Sequence, residues 1–428
     1  MTTARETANA EAYQRLCAAQ PILIGIAPAI EAVPGMQPNE ILTSGPPMPW
    51  AQYQGGQRGA IIGGALFEGL GGDARDAEAK LASGAIRVLP CSRFGCVGSL
   101  AGIYTASMPV LIVRNGERGN LAYCNLYEGS NPRRLNYGVY DAGVRDRLLH
   151  VRDVVAPVIG EAALAAGGIP LKPIMQRALH MGDELHSRNT AASLLFAREL
   201  FPYLLRLAER GRGRVEQTLE ALTADHYFFL RLAMAAAKAT ADAAHGIAHC
   251  SVVTAMGFNC REFAIRVSGL DDIWFSGPLP TVQAKLFAGH AEDEISWMGG
   301  ESVIIETIGL GGLAQAAAFP LQSYQGGSAE AMVANNLAMY GICTGEHTDF
   351  RIPFLGYRGT PTGIDVLKVV ERGVTPIMDI GIAGRHGGQI GAGLVRAHRG
   401  CFERAAAAYA QRYGNISGAS RAAPLGFS

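Results

Sequence analysis

Apolar and polar positions follow two spacings along the chain, and the change of spacing divides it. Residues 22–30 (ILIGIAPAI) form a short apolar run closed by Pro28 and Pro34-Gly35, which predicts a buried strand feeding a loop. Residues 44–50 (SGPPMPW) hold too much proline for regular helix. Residues 59–70 (GAIIGGALFEGL) are apolar and studded with glycine, so strand and helix both remain open. A helix is predicted near 76–83, and strands at 86–89, 109–113 and 121–127. Short apolar strands alternating with helices predict an α/β domain over residues 1–146. From 147 to 250 the spacing is helical. Residues 228–245 (FFLRLAMAAAKATADAAH) are rich in alanine, the strongest helix former, and Gly246 follows where a helix-ending glycine belongs. Residues 251–428 return to α/β, with strands at 251–255, 262–267, 303–306 and 374–382 and a helix at 405–413. The expected fold is α/β and multidomain: α/β N-terminal and C-terminal parts around a mainly helical middle domain.

Composition narrows the class. The chain has 428 residues, 49% of them hydrophobic and 17% charged, so a large core can form and disorder is not expected. So little charge implies covered surface, which points to a homo-oligomer. Lys plus Arg and Asp plus Glu both count 37, leaving no basic excess for nucleic acid. The basic stretch 206–214 is broken by Gly211 and Gly213 and reads as a solvated turn. Residues 1–15 lack the apolar segment of a signal peptide, and no run approaches the roughly 18 apolar residues of a membrane span, so a cytoplasmic protein is expected. The eight cysteines are scattered without C-x-x-C and read as free thiols.

Several constellations carry candidate chemistry. The densest is His180-Met-Gly-Asp183-Glu184-Leu-His186-Ser-Arg188-Asn189. On a helix, His180 would sit beside Asp183 and Glu184, an arrangement that orients a histidine for acid–base work. A divalent metal is a second use, although the zinc-protease spacing is missing and no ligand set can be named. Lys238, Asp242 and His245 follow at spacings of four and three, on one face of an apolar helix. Such a stripe faces water or a cleft, or, if buried, is paired internally. At 301–313 (ESVIIETIGLGGL), Glu306 precedes Gly309, Gly311 and Gly312, whose N–H groups can form an anion-binding nest. Arg358 with Thr360 (RGTPTGID), Gln389 in HGGQIGAG, and Asn259 and Arg266 complete the substrate-binding candidates. Arginine suits a carboxylate clamp.

GPPMPW, RGAIIGGALFEGL, ALHMGDELHSRN, MAAAKATADAAHG, SVVTAMGFNCREFAIRVSG, ETIGLGG, RGTPTGID and GGQIGAGLV occur in that order. Together they resemble the oxamate carbamoyltransferase subunit family over about residues 9–403. The resemblance implies conversion of oxalurate and phosphate to oxamate and carbamoyl phosphate. It also implies partners: an acyl-CoA-synthetase-like protein and another small subunit. Residues 91–98 (CSRFGCVG) depart from the family pattern, which has a histidine-bearing segment there. That keeps open a different ureido acid such as ureidomalonate, cleaved by a self-sufficient amidohydrolase. A non-catalytic subunit that binds a small carboxylate is the third reading.

Overall fold

The computed structural model describes residues 2–414 apart from 130, 212 and 225. The first apolar run forms the strand Pro21–Pro28 of a five-stranded sheet. Its order is Cys96–Val97, Leu121–Asn125, Pro109–Asn115, Pro21–Pro28 and Ile169–Pro170. Pro21–Pro28 runs antiparallel to Pro109–Asn115, with Leu23 opposite Val113. Alternation then sorts side chains to two faces. Leu23, Leu111, Val113 and Cys124 enter the main core, while Val110 and Tyr123 join a smaller cluster with Cys91 and Tyr104.

The alanine-rich segment forms the helix Phe228–Ala243, buried on every side except at Leu230 and Asp242. Alanine makes this possible, because small side chains let neighbours approach all round. The helix packs on the five-stranded sheet. The helices Ala156–Ala165, Lys172–His180 and Thr190–Glu209 contribute to the same core. That core also takes in Ala8 of the first helix and Phe350 of the hairpin Cys343–Ile352/Arg358–Ile364. Asn9 anchors the first helix, Ala4–Ala18, by donating to Asp365 at 3.1 Å and Ser251 at 2.9 Å.

Besides that hairpin, the described C-terminal part holds two larger antiparallel sheets. One has Val253–Phe258, Glu262–Val267 and Trp274–Pro278; the other runs Val282–Leu286, Gln389–Arg396, Ile377–Gly384, Ile295–Ser296. The architecture is therefore mixed α/β, with several sheets and a helical middle.

Three local expectations change. Residues 303–306 are not a strand: Ile304–Thr307 is a short helix, and a tight glycine turn follows it. The helix through the densest polar cluster ends at His180, where Gly182 (φ +96°) begins an irregular turn. The ambiguous segment at 59–70 is helical, within Gly55–Phe67. Among the described residues no helix is long and apolar enough to cross a membrane.

Candidate active site

The irregular turn at 183–189 is held by its own acids. Asp183 is fully buried, accepts the Ala192 N–H at 2.8 Å and pairs with Arg188 at 2.5 Å, so it caps the helix Thr190–Glu209. Burial, opposed by these partners, leaves its carboxyl above the ordinary range. The Glu184 carboxylate accepts backbone N–H groups from His186 at 3.2 Å, Arg188 at 2.9 Å and Ser187. Burial first, and the charge of Asp379 next, push Glu184 well above a normal carboxyl. Leu185, at φ +73°, completes the reversal that turns His186 inward.

His186 meets Glu306, its Nδ1–H donating to Oε1 at 2.8 Å. The same Oε1 accepts the N–H of Gly312 at 3.0 Å and of Asp379 at 3.1 Å. Of the loop's glycines only Gly312 donates to a carboxylate, the protein's own Glu306; the Gly309 and Gly311 N–H groups go to the backbone carbonyls of Glu306 and Glu184, so the expected anion nest is not formed. A Cβ on Gly311 would lie 2.3 Å from Glu306 Oε1, and one on Gly312 2.2 Å from the Ile377 carbonyl, so no side chain fits at either position. Burial would depress the His186 ring. The charge and hydrogen bond of Glu306, then the charge of Asp379, outweigh it and raise its pKa. With Nδ1 committed, Nε2 is left for acid–base work.

His186 lines a cavity together with Arg134, Arg231, Tyr324 and Gln389. Two arginines on the same wall are nearly inaccessible: Arg134 is 7% exposed and Arg231 3%. Arg134 lies against the rings of Tyr127 (4.8 Å) and Tyr137 (4.5 Å) and donates to the Gly129 carbonyl at 3.1 Å. Arg231 donates to Asn125 Oδ1 at 3.2 Å. Neither forms an ion pair with a carboxylate among the described residues, and the buried Nε of each has no partner. The nearby charge of buried Glu128 supports Arg134, but neither guanidinium is salt-bridged, and an anion in the cavity would complete both. Tyr137, Tyr227 and Tyr324 also line the cavity. Burial raises all three phenols, Tyr324 to about 12, so they stay protonated as donors. Gln389 Nε2 donates to the Tyr324 hydroxyl, and its Oε1 accepts from Tyr137 at 3.5 Å. Among the described residues no three His, Cys, Asp or Glu side chains are placed to hold a metal ion.

Comparison with known proteins places the chain in a family. Residues 86–302 match the family model described as oxamate carbamoyltransferase subunit AllG. The AllG subunit of Escherichia coli K12 is 38% identical over 97% of this chain and 100% of its own length. The chain belongs to the AllG family. Another relative is the E. coli K12 protein YahG, printed as uncharacterized, 39% identical over 95% of this chain and 86% of its own. A crystal structure of a conserved protein of unknown function from Enterococcus faecalis V583 superposes with a TM-score of 0.93. It is 38% identical and covers 96% of this chain and 99% of its own.

In this AllG-family chain the sequence-derived candidates separate. His186 and Gln389 line the cavity; Glu306, Glu184, Asp183, Gly311 and Gly312 stand behind His186, and Asn189 donates to the His186 carbonyl at 2.9 Å. Arg188 serves Asp183. Thr360 is buried against Gly309. His180 is exposed, edge-on to Tyr357. Arg358 is exposed too, paired with Glu346 at 2.7 Å and stacked on Tyr340 at 3.7 Å. Asn259 closes a turn by accepting from Arg261 and Glu262, both at 2.8 Å. Lys238, His245 and Arg266 form a separate buried network around Asp242, with Lys238 at 2.7 Å and Arg266 at 2.8 Å. Lys238 and Arg266 hold the Asp242 carboxyl below its usual range against its burial. Pattern reading passed over Arg134, Arg231 and the tyrosines. One signal existed: a lone arginine in the apolar run FFLRLAMAAA.

Proposed function

We propose that this chain acts on the carbamoyl group of a small ureido carboxylate, as a subunit of an oxamate carbamoyltransferase-type complex. One observation carries the reading: two buried arginines without carboxylate partners share a cavity with a histidine oriented by Glu306. Arg134 or Arg231 takes the substrate carboxylate, where guanidinium forms two parallel hydrogen bonds. The remaining guanidinium and the tyrosine hydroxyls face the ureido oxygen and stabilise charge as a nucleophile attacks. Nε2 of His186 removes the proton from the attacking phosphate oxygen. The carbon–nitrogen bond to the amide then breaks, and the same proton goes to the leaving nitrogen. The products are oxamate and carbamoyl phosphate, with no net change in the histidine. The printed name of the E. coli relative, a subunit, supports partner proteins for this chain.

The test is incubation of the purified chain, alone and with the partner subunits that the family resemblance implies, with oxalurate and with ureidomalonate, each with and without phosphate, followed by carbon-13 NMR. Phosphate-dependent carbamoyl phosphate is expected. Release of urea or ammonia regardless of phosphate would replace transfer with hydrolysis. No turnover in any reconstituted mixture, with ureido acids still bound, would leave a binding subunit.

A further inference from the structure

Behind His186 the acids outnumber the groups that can neutralise them. Glu184, Glu306 and Asp379 are each fully buried. Glu184 is satisfied by backbone N–H groups. Glu306 and Asp379 are not: Glu306 Oε2 and Asp379 Oδ2 are buried without a hydrogen-bond partner. Asp379 Oδ1 accepts only from two neutral amides, Gln315 at 2.7 Å and Gln325 at 3.2 Å. The Asp379 N–H also donates to the Glu306 oxygen that binds His186. Two buried carboxylates with unpaired lone pairs cannot both stay ionised cheaply, and a proton held on the pair is the simplest remedy.

We propose that Asp379, acting through Glu306, is the positioning residue that sets the proton affinity of His186. Asp379 itself does not line the cavity, whereas its neighbours Ile380 and Gly381 do. Burial first, and the charge of Glu306 next, raise the Asp379 carboxyl to about 6, inside the range where the histidine works. The groups facing His186 are few. Its own turn supplies Asp183, Glu184 and Arg188; the short helix supplies Glu306 and the strand Ile377–Gly384 supplies Asp379; the cavity walls add Arg134, Arg231, Tyr227 and Tyr324. Ionised Asp379 holds a proton on His186, and neutral Asp379 releases that hold. Ionised Asp379 therefore moves to higher pH the point at which His186 gives up its proton and becomes ready to accept one.

The inference rests on His186 being the acid–base group, but its test does not require turnover. The His186 ring is titrated by NMR in histidine-labelled protein, assigned by its disappearance in His186→Gln. Asp379→Asn should lower the His186 midpoint by about one pH unit, the effect of removing one nearby negative charge. Gln325→Met removes a donor to ionised Asp379, so it should shift the midpoint the same way by less. If Asp379→Asn does not fold, Gln325→Met decides alone. An unmoved midpoint in a folded variant overturns the proposal. So does a stoichiometric metal found in the wild-type protein by elemental analysis and lost in Asp379→Asn, since a cation would then occupy the place assigned to the proton. Where ureido acids are turned over, the rising limb of kcat/KM should move with the midpoint while KM changes little. A shifted midpoint without turnover on any ureido acid would sink the proposed reaction and leave this inference standing.

Discussion

At the scale of single residues, His186 and the two cavity arginines divide the work, and substitution should separate them. His186→Ala removes the proton carrier but not the anion site. Turnover should fall by about 10²–10⁴-fold, the usual worth of general acid–base catalysis, while oxamate binding measured by calorimetry stays within a few-fold. Arg134→Met and Arg231→Met should do the reverse. A hydrogen bond to a charged group contributes about 1.5–3 kcal/mol, so each change should weaken oxamate binding about ten- to a hundredfold. Arg358→Met is the contrast: its guanidinium is exposed and already paired with Glu346, so binding should not change. Equal losses from Arg358→Met and Arg134→Met would move the carboxylate site away from this cavity. His186 stood out in the sequence through the density of ionisable neighbours. Arg134 did not, because nothing in NPRRLNY shows that one arginine will be buried between two tyrosines.

At the scale of elements, the glycine loop and the buried helix show how local patterns acquire their meaning. The glycines at 309–312 suggested an anion nest, but only the Gly312 N–H meets a carboxylate, that of Glu306 on the short helix just before it. Gly312→Ala should force the strand Ile377–Gly384 aside and cost about 1–3 kcal/mol in urea unfolding, with the His186–Glu306 contact disturbed as well. The stripe Lys238, Asp242, His245 was legible as needing internal partners once buried. The partner that answers it, Arg266, lies on a strand that the helix pattern cannot foresee. Asp242→Asn would leave Lys238 a buried cation without its carboxylate, while Arg266 keeps Asp272 at 3.0 Å. A loss of about 3–5 kcal/mol is expected, read as a lower denaturation midpoint at unchanged slope. A loss under about 1 kcal/mol would mean that water already reaches the network.

At the scale of the whole molecule, two histidines held neutral by their surroundings make stability depend on pH. His347, on the hairpin strand Cys343–Ile352, accepts the N–H groups of Asp349 (3.0 Å) and Phe350 (3.1 Å) on Nδ1. Burial, then the charge of Lys172, depress it to about 3. His245 is depressed to about 4, by burial first and by Arg266 next. A histidine with a lowered native pKa binds fewer protons folded than unfolded, so stability falls as pH drops below about 6.5. Each contributes roughly 1.4 kcal/mol per pH unit until its folded pKa is reached. Asp379 opposes this between about 4 and 6, since its raised carboxyl favours the folded state as it gains a proton. Asp183, Glu184 and His186, whose pKa values are raised as well, oppose it too, so the histidine contribution is read by difference. Lowering the pH from 7.5 to 5 should cost the wild-type protein more urea stability than it costs His347→Gln. Equal losses in the two would show that the His347 ring is protonated in the folded protein.

What the sequence determined by itself is local and periodic. The strands of the first sheet, the helical middle and the alanine-rich helix follow from spacing and propensity, because burying one face of a strand or helix demands a repeat that neighbouring residues carry. The resemblance of eight phrases to a known family was equally present in the chain. Tertiary structure alone decided the site. His186 and Glu306 are separated by 120 positions in the sequence, and Arg134, Arg231 and Asp379 arrive from a loop, a helix and a strand. Whether a charged side chain is exposed and paired like Arg358, or buried without a salt bridge among the described residues like Arg231, depends on which distant segment lies against it. Periodicity does not encode that: it reports which face turns inward, while the chemistry depends on what the inward faces meet.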